Sequence, residues 1–300
     1  MTVLEAIQKS ADFLAKKGVE SPRLQTELLL AYLLKMPRMN LYLNFERILT
    51  PVETDVLREL VKRRGRREPL QYITGSTSFC GLEMAVNRHA LVPRPETELL
   101  AEEGWKFLNW EGRRVGDPNS GTAARQPSQN EFPAALDLGT GTGCIAIALA
   151  VKCPNAKITA TDISMDALAL AKENAARNGV PERIVFLQGD GFAAFAADAR
   201  FDLIISNPPY IPSAEIATLQ PEVRDFDPCA ALDGGVDGLD FYRRFSAQAK
   251  PFLKPDGKIM LEFGDGQAEA IRKIFEAEKW IVEAMKEDYS QRARILIAKL

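Results

Sequence analysis

Four consecutive residues, Asn207-Pro208-Pro209-Tyr210, have the makings of a device that holds a planar nitrogen group and turns it toward an electrophile. They follow Phe201-Asp202-Leu203-Ile204-Ile205-Ser206, which reads as a short buried strand. The prolines fix φ and remove backbone donors, so nearby carbonyls are left to accept from a ligand. Asn207 adds a side-chain carbonyl oxygen, and Tyr210 a flat face for stacking. An Asn-Pro pair is also an ordinary turn starter after a strand, so the motif gains its weight from what stands upstream.

Upstream is Leu136-Asp137-Leu138-Gly139-Thr140-Gly141-Thr142-Gly143. Ala134 to Leu138 reads as a strand and Cys144 to Val151 as an apolar helix. A glycine-rich turn between them lets a ligand approach the backbone, because no Cβ stands in the way, and the helix N-terminus offers N–H groups to a polar ligand. Dinucleotide sites use G-x-G-x-x-G. The G-x-G-x-G spacing here fits a pyrophosphate poorly and looks like the S-adenosylmethionine loop of doubly wound methyltransferases. A second strand, Lys157 to Thr161, ends at Asp162, roughly twenty residues past the turn, where an acidic side chain can accept from ribose hydroxyls. Asp162 or Ser164 can equally cap the helix that follows. A third strand, Ile184 to Gln188, ends near Asp190, Gly191 and Phe192, a place for an adenine ring, although Gly-Asp-Gly is also a common turn.

Strands and helices alternate from Ala134 onward: strands at 134–138, 157–161, 184–188, 201–205 and 258–263, helices at 143–152, 164–178, 239–253 and 266–278, and late strands at 280–286 and 292–299. That rhythm predicts a doubly wound, mostly parallel α/β sheet covered by helices. Such sheets bind ligands at strand carboxyl ends, near the switch in strand order. All four candidate segments fall at such ends. Before this lies a small helical bundle: a helix over 2–17 stopped by Gly18, a second from Ser21-Pro22 with Leu24, Leu28, Leu29 and Leu33 facing inward, and a third opened by the Thr50-Pro51-Val52-Glu53 capping box, with Val52, Val56, Leu57, Leu60 and Val61 on one face. This third helix ends in Arg58, Lys62, Arg63, Arg64, Arg66 and Arg67, which reads as a solvated basic face or a contact for an acidic partner or RNA phosphate. Leu82, Met84 and Val86 alternate with polar or small residues, and Phe79-Cys80-Gly81 turns a hairpin. Two prolines bracket Arg94 ahead of a helix running to about Leu108, and residues 111–133 are polar enough to be a mobile linker.

The expected organisation is therefore a helical domain at 1–68, a β-hairpin connector at 69–92 and a catalytic domain at 93–300. An apolar fraction of 46% supports a sizeable core, and a net charge of −3 makes no global demand for nucleic acid. Four scattered cysteines and a single histidine, His89, give no paired metal spacing, so no metal is expected. With no signal pattern and no membrane-length apolar run, a cytoplasmic protein is expected.

The chain resembles the HemK/PrmC family, the release factor glutamine methyltransferases. The resemblance rests on Arg67-Glu68-Pro69-Leu70-Gln71-Tyr72-Ile73-Thr74-Gly75, Phe79-Cys80-Gly81-Leu82, Val92-Pro93-Arg94-Pro95-Glu96-Thr97-Glu98, Asp137 to Gly143, Ser206 to Tyr210 and the Ala231 to Leu239 stretch. It implies a seven-stranded methyltransferase sheet and methyl transfer from S-adenosyl-L-methionine to the side-chain amide nitrogen (N5) of the glutamine in the Gly-Gly-Gln motif of class-1 peptide chain release factors. It places cofactor contacts at Gly139, Thr140, Gly141, Thr142, Gly143, Asp162, Asp190, Gly191, Phe192 and Asn207. Substrate contacts fall at Asn207, Pro208, Pro209 and Tyr210, with Asn207, Pro208 and Tyr210 carrying catalysis. Many relatives carry an aromatic where Gly191 stands, so Phe192 is expected to wall the adenine instead. The partner is a protein, with a monomeric enzyme and no direct nucleic-acid contact expected. Adenine-N6 methyltransferases share Asn-Pro-Pro-Tyr and form the alternative. A non-catalytic adaptor fits the intact motifs less well, and a nicotinamide dehydrogenase fits the glycine spacing least.

Overall fold

The computed structural model describes residues 1–116 and 132–300. Of the expected linker, residues 117–131 lie outside the described residues, and the part up to Gly116 continues the preceding helix. The chain forms two compact units, Met1–Ser76 with Leu219–Phe226, and Thr77–Thr218 with Asp227–Leu300. The expected boundaries at 68 and 92 did not anticipate the return of 219–226 to the first unit.

The first unit is helical: α1 (Val3–Lys16), α2 (Pro22–Leu34), α3 (Arg38–Tyr42), α4 (Pro51–Gly65) and α5 (Leu70–Thr74). Thr2 with Glu5 and Thr50 with Glu53 form reciprocal capping boxes, so the first orphan N–H groups of α1 and α4 are satisfied within the sequence itself. Val3, Ile7, Leu14, Leu29, Leu30, Leu41 and Leu57 make the core. Three side chains expected inside are not: Leu24, Val52 and Val56 are exposed. Charged residues take inward places instead. Glu27 on α2 is buried and accepts from Arg23, Arg38 and Tyr42. Arg64 on α4 is buried and donates to Gln25 Oε1 (2.7 Å), Glu68 O (3.2 Å) and Glu222 Oε1 (2.6 Å). Arg67 forks onto both oxygens of Glu222. With Arg58 on Asp55, Lys62 on Glu59 and Arg63 on Glu68, the basic end of α4 is largely neutralised by its own unit.

The second unit opens with the hairpin β1 (Ser76–Phe79) and β2 (Leu82–Ala85). Its two turn residues, Cys80 and Gly81, both have positive φ, the hand that matches strand twist. Then come α6 (Pro95–Gly116), β3 (Ala134–Leu138), α7 (Cys144–Lys152), β4 (Lys157–Asp162), α8 (Met165–Arg177), β5 (Ile184–Gln188) and β6 (Phe201–Ser206). After α9 (Pro221–Arg224), which belongs to the first unit, follow α10 (Asp240–Gln248), β7 (Leu253–Glu262), α11 (Ala268–Ala277), β8 (Ile281–Glu287) and β9 (Ala293–Lys299). The seven-stranded sheet has the order β5-β4-β3-β6-β7-β9-β8, parallel up to β7, with β9 antiparallel to both its neighbours. Strand β7 starts earlier than expected: Leu253 already pairs with Phe201, and a register shift follows before Lys258 pairs with Leu203.

Both sheet faces are buried, and successive residues divide between two cores. Ala135, Ile158, Leu203, Ile205 and Met260 pack with Leu100 of α6 and Ile147 of α7. Leu136, Leu138, Ile204, Ile259 and Leu261 pack with Tyr242 and Phe245 of α10 and Phe275 of α11. Continuous apolar strands are the outcome, as a helix-covered parallel sheet requires. Chain order runs outward from β3 to β5 and then resumes on the other side of β3 with β6, so the crevice at the carboxyl ends of β3 and β6 is the switch point.

Candidate functional site

The loop after β3 is closed by its own hydrogen bonds. Thr140 N donates to Thr161 O (2.8 Å), Gly141 N to Asp162 Oδ2 (2.9 Å) and Gly143 N to Thr140 O (2.9 Å). Gly139, Gly141 and Gly143 all have positive φ, which L side chains adopt only with strain. Three loop N–H groups are thus committed, and a carboxylate stands beside them. A pyrophosphate would need such groups free; a ligand that is neutral or cationic here does not. At Gly139 an added Cβ would meet no atom of the other described residues within 4 Å beyond its chain neighbours, which leaves open space in front of that backbone. These features fit an S-adenosylmethionine cradle and disfavour a dinucleotide. Thr140 and Thr142 turn their side chains inward and are buried; Thr140 Oγ1 donates to Asp137 Oδ2 at 2.6 Å, and Thr142 O accepts from Asn174 Nδ2 at 2.9 Å.

Asp162 organises two elements at once. Oδ2 holds Gly141 N, and Oδ1 accepts from Ser164 N at 2.9 Å. Ser164 is the N-cap of α8, its hydroxyl accepting from Ala167 N, so Asp162 itself is left facing the loop. Each carboxylate oxygen retains a lone pair for a further donor. Gly189 N donates to Asp162 O, which brings the third strand's turn alongside.

The Asp190–Phe192 turn holds two further expected contacts. The Phe192 ring is buried, stacked on Phe252 at 4.8 Å and tilted against Phe245 at 5.5 Å, and with Asp190 it lines an open surface pocket. Asp190 is half exposed and pairs with Arg244 of α10 at 3.2 Å, so its carboxylate already has a partner. Gly191 takes φ +58, which accounts for a glycine at this place.

Asn207 is carried to the crevice by β6. Ser206 Oγ donates to Leu138 O at 2.5 Å, tying the end of β6 to the end of β3 and setting Asn207 next to the glycine loop. Asn207 Nδ2 donates to Thr97 Oγ1 (2.9 Å), and Thr97 Oγ1 donates to Glu262 Oε2 (2.7 Å). Pro208 is buried, and Asn207, Pro209 and Tyr210 are partly exposed. Tyr210 O accepts from Gln267 Nε2 at 2.8 Å, and Gln267 Oε1 accepts from Gly264 N at 2.9 Å. Burial pushes the Tyr210 phenol up to about 12, with Glu262 adding to the rise, so it stays a neutral donor.

The structure thus gathers Gly139–Gly143, Asp162 and Asn207–Tyr210 at one crevice, with the Asp190–Phe192 turn adjoining Asp162. Three residues that support them were missed in the sequence: Thr97, Glu262 and Gln267. For Glu262 a signal existed, since it is a single acid in the apolar run Ile259-Met260-Leu261-Glu262-Phe263. For Thr97 the signal was its place in the Arg94-Pro95-Glu96-Thr97-Glu98 stretch on which the resemblance rests, although no role was read from it; for Gln267 there was none, because it lies in ordinary helix-start sequence.

Comparison with known proteins places this geometry. Residues 5–75 match the PrmC N-terminal domain, and residues 121–220 the methyltransferase small domain. The release factor glutamine methyltransferase of Geobacter sulfurreducens is 44% identical over 274 residues, 91% of this chain and 88% of the relative. That of Chlorobaculum tepidum is 40% identical over 97% of this chain and 94% of its own length. A methyltransferase structure from Pyrococcus furiosus, 20% identical, superposes with a TM-score of 0.51 over 79% of this chain and 97% of that one, a likeness of fold. The chain belongs to the release factor glutamine methyltransferases, enzymes whose methyl donor is S-adenosylmethionine.

Proposed function

We propose that this enzyme methylates the side-chain amide nitrogen of a glutamine, the one in the Gly-Gly-Gln motif of class-1 peptide chain release factors. The observation that carries the reading is the direction of the Asn207 amide. Its nitrogen is held by Thr97, so its oxygen is left to accept. Asn207 Oδ1 and the Pro208 carbonyl take the two N–H bonds of the substrate amide. Tyr210 and the two prolines pack on the amide plane. The donor is held by the Gly139–Gly143 backbone and Asp162, and supplies an electrophilic methyl group when bound. An amide nitrogen is a weak nucleophile because its lone pair is delocalised. The residues of this chain therefore work by aiming that lone pair and removing freedom from the encounter, not by deprotonation.

The helical first unit docks the release factor. Exposed apolar side chains there, Met39, Leu43, Ile48 and Val52, support that reading. The enzyme acts as a monomer on a protein in the cytoplasm and does not contact nucleic acid. Pairing of the α4 arginines and lysine within their own unit supports a protein partner over a phosphate backbone. Among the described residues no helix is long and apolar enough to cross a membrane.

The test is incubation with S-adenosylmethionine and a purified class-1 release factor, followed by peptide mass mapping. A single methyl on the Gly-Gly-Gln glutamine is expected. Labelled methyl on adenine in a parallel nucleic-acid reaction, with none on the factor, would overturn the reading. Asn207→Ala should lower kcat on the order of 10²-fold or more, the scale of losing a group that positions and polarises the acceptor.

A further inference from the structure

We propose that Thr97 and Glu262 are positioning residues that decide which end of the Asn207 amide faces the acceptor nitrogen, and that the charge on Glu262 sets that direction. The inference rests on the function proposed above and deepens it. It starts from three side chains in series: Asn207 Nδ2 to Thr97 Oγ1 at 2.9 Å, and Thr97 Oγ1 to Glu262 Oε2 at 2.7 Å. Thr97 and Glu262 are each only 2% exposed, so neither can exchange its partner for water.

A threonine hydroxyl has one proton to give and lone pairs to receive. An ionised Glu262 can only accept, so Thr97 must donate to it. The hydroxyl then has only lone pairs left for Asn207, and the amide must present its nitrogen inward. Oδ1 is thereby turned to the crevice, where it can accept from the substrate N–H. Protonation of Glu262 permits the opposite order. The acid donates to Thr97 Oγ1, Thr97 donates to Asn207 Oδ1, and the amide turns its N–H bonds outward. Two donors, those of Asn207 and of the substrate amide, would then face each other. No bond is made or broken in this relay; only the sense of each hydrogen bond reverses.

The surroundings make this reversal accessible near neutral pH. Burial pushes the Glu262 carboxyl up to about 7; Thr97 pulls it down, Glu96 in the first turn of α6 pushes it up, and Arg294 on β9 and Asn207 pull it down. Tyr210 lies near it with its phenol raised to about 12, and Tyr242 on α10, also raised, donates its hydroxyl to Glu262 O at 2.7 Å. Both tyrosines stay neutral, so the carboxyl of Glu262 is the group in this relay that changes charge across neutrality.

The test uses the full chain, saturating S-adenosylmethionine and a purified class-1 release factor between about pH 6 and 9. For the wild type, kcat should fall about tenfold per pH unit below a midpoint near 7. Glu262→Gln, which cannot ionise, should give a flat profile. Thr97→Val should lower kcat on the order of 10²-fold with little change in the KM for the donor, and Thr97→Ser should restore it. In a sample with ¹⁵N-labelled asparagine, the Asn207 side-chain resonances should move with the Glu262 titration in the wild type and stay still in Glu262→Gln. Parallel pH profiles in wild type and Glu262→Gln, or Asn207 resonances indifferent to pH, would overturn the relay. A wild type that transfers no methyl to the factor at any pH would instead overturn the proposed function, and the asparagine resonances would still decide the relay.

Discussion

Asp137, beneath the glycine loop, is fully buried at the end of β3. Its Oδ2 accepts from Thr140 Oγ1 at 2.6 Å and Ala146 N at 3.1 Å, while Oδ1 has no hydrogen-bond partner among the described residues. Burial pushes its pKa from 3.8 up to about 7, against the two hydrogen bonds and with a contribution from Asp162. Between those two values the folded chain holds a proton that the unfolded chain has released. The stability that Asp137 contributes is therefore complete below the unfolded value and is lost as pH rises toward 7. Asp137→Asn cannot ionise and should lack this dependence. Urea unfolding from about pH 4 to 8 should show the wild type losing stability relative to the variant, by at most about 4 kcal/mol. A difference that stays constant with pH would mean the carboxyl does not change its ionisation on folding.

The Asn207–Tyr210 segment keeps its path because other elements brace it from behind. Ile211 bridges to Asp233, with Ile211 N on Leu232 O at 3.0 Å and Gly234 N on Ile211 O at 2.8 Å. Gln267 at the start of α11 holds Tyr210 O. Gly238, at φ +77, lies so close that a Cβ there would fall 2.3 Å from Tyr210 O and 2.6 Å from Gln267 Nε2. Gly238→Ala should therefore displace the acceptor carbonyls and lower kcat on the order of 10²-fold, the cost of a misplacement of roughly an ångström. Affinity for S-adenosylhomocysteine, measured by calorimetry, should hold, because the glycine loop is not touched. Equal loss of cofactor binding and of turnover would point to unfolding instead. The sequence made the strand ends at Gly139, Asp162 and Asn207 legible because buried parallel strands are unbroken apolar runs, and a polar residue or glycine marks where each stops. The Thr97–Glu262 pair was not legible, since 165 residues separate partners that only the sheet brings together. Helix faces misled for a different reason. Glu27 and Arg64 are buried through their ion pairs, so the apolar Leu24, Val52 and Val56 are left outside on α2 and α4.

At the scale of the whole molecule the chain does not pass once from unit to unit. It leaves the catalytic unit after Thr218, gives Leu219–Phe226 to the helical unit and returns at Asp227, whose carboxylate takes Arg94 at 2.9 Å. The excursion is clipped by Glu222, which accepts from Arg64 and twice from Arg67. Burial raises the Glu222 carboxyl, but the hydrogen bonds from Arg67 and Arg64 outweigh it and hold the pKa below 4.5. A lowered carboxylate contributes stability that is present above its unfolded value and lost as pH falls through its folded one. Removing it at neutral pH leaves the buried Arg64 guanidinium without its counter-charge, although Gln25 and Glu68 still accept from it. Glu222→Ala should cost the helical unit about 3 kcal/mol. Hydrogen exchange should locate that cost: amides of 219–226 and of α4 should exchange faster, while those of β3, β4 and β6 should not. The gap between wild type and variant should close in acid, below the ordinary glutamate range, once Glu222 is protonated in both states. Faster exchange spread evenly over the sheet, or none at 219–226, would show that the clip does not hold this segment to the helices.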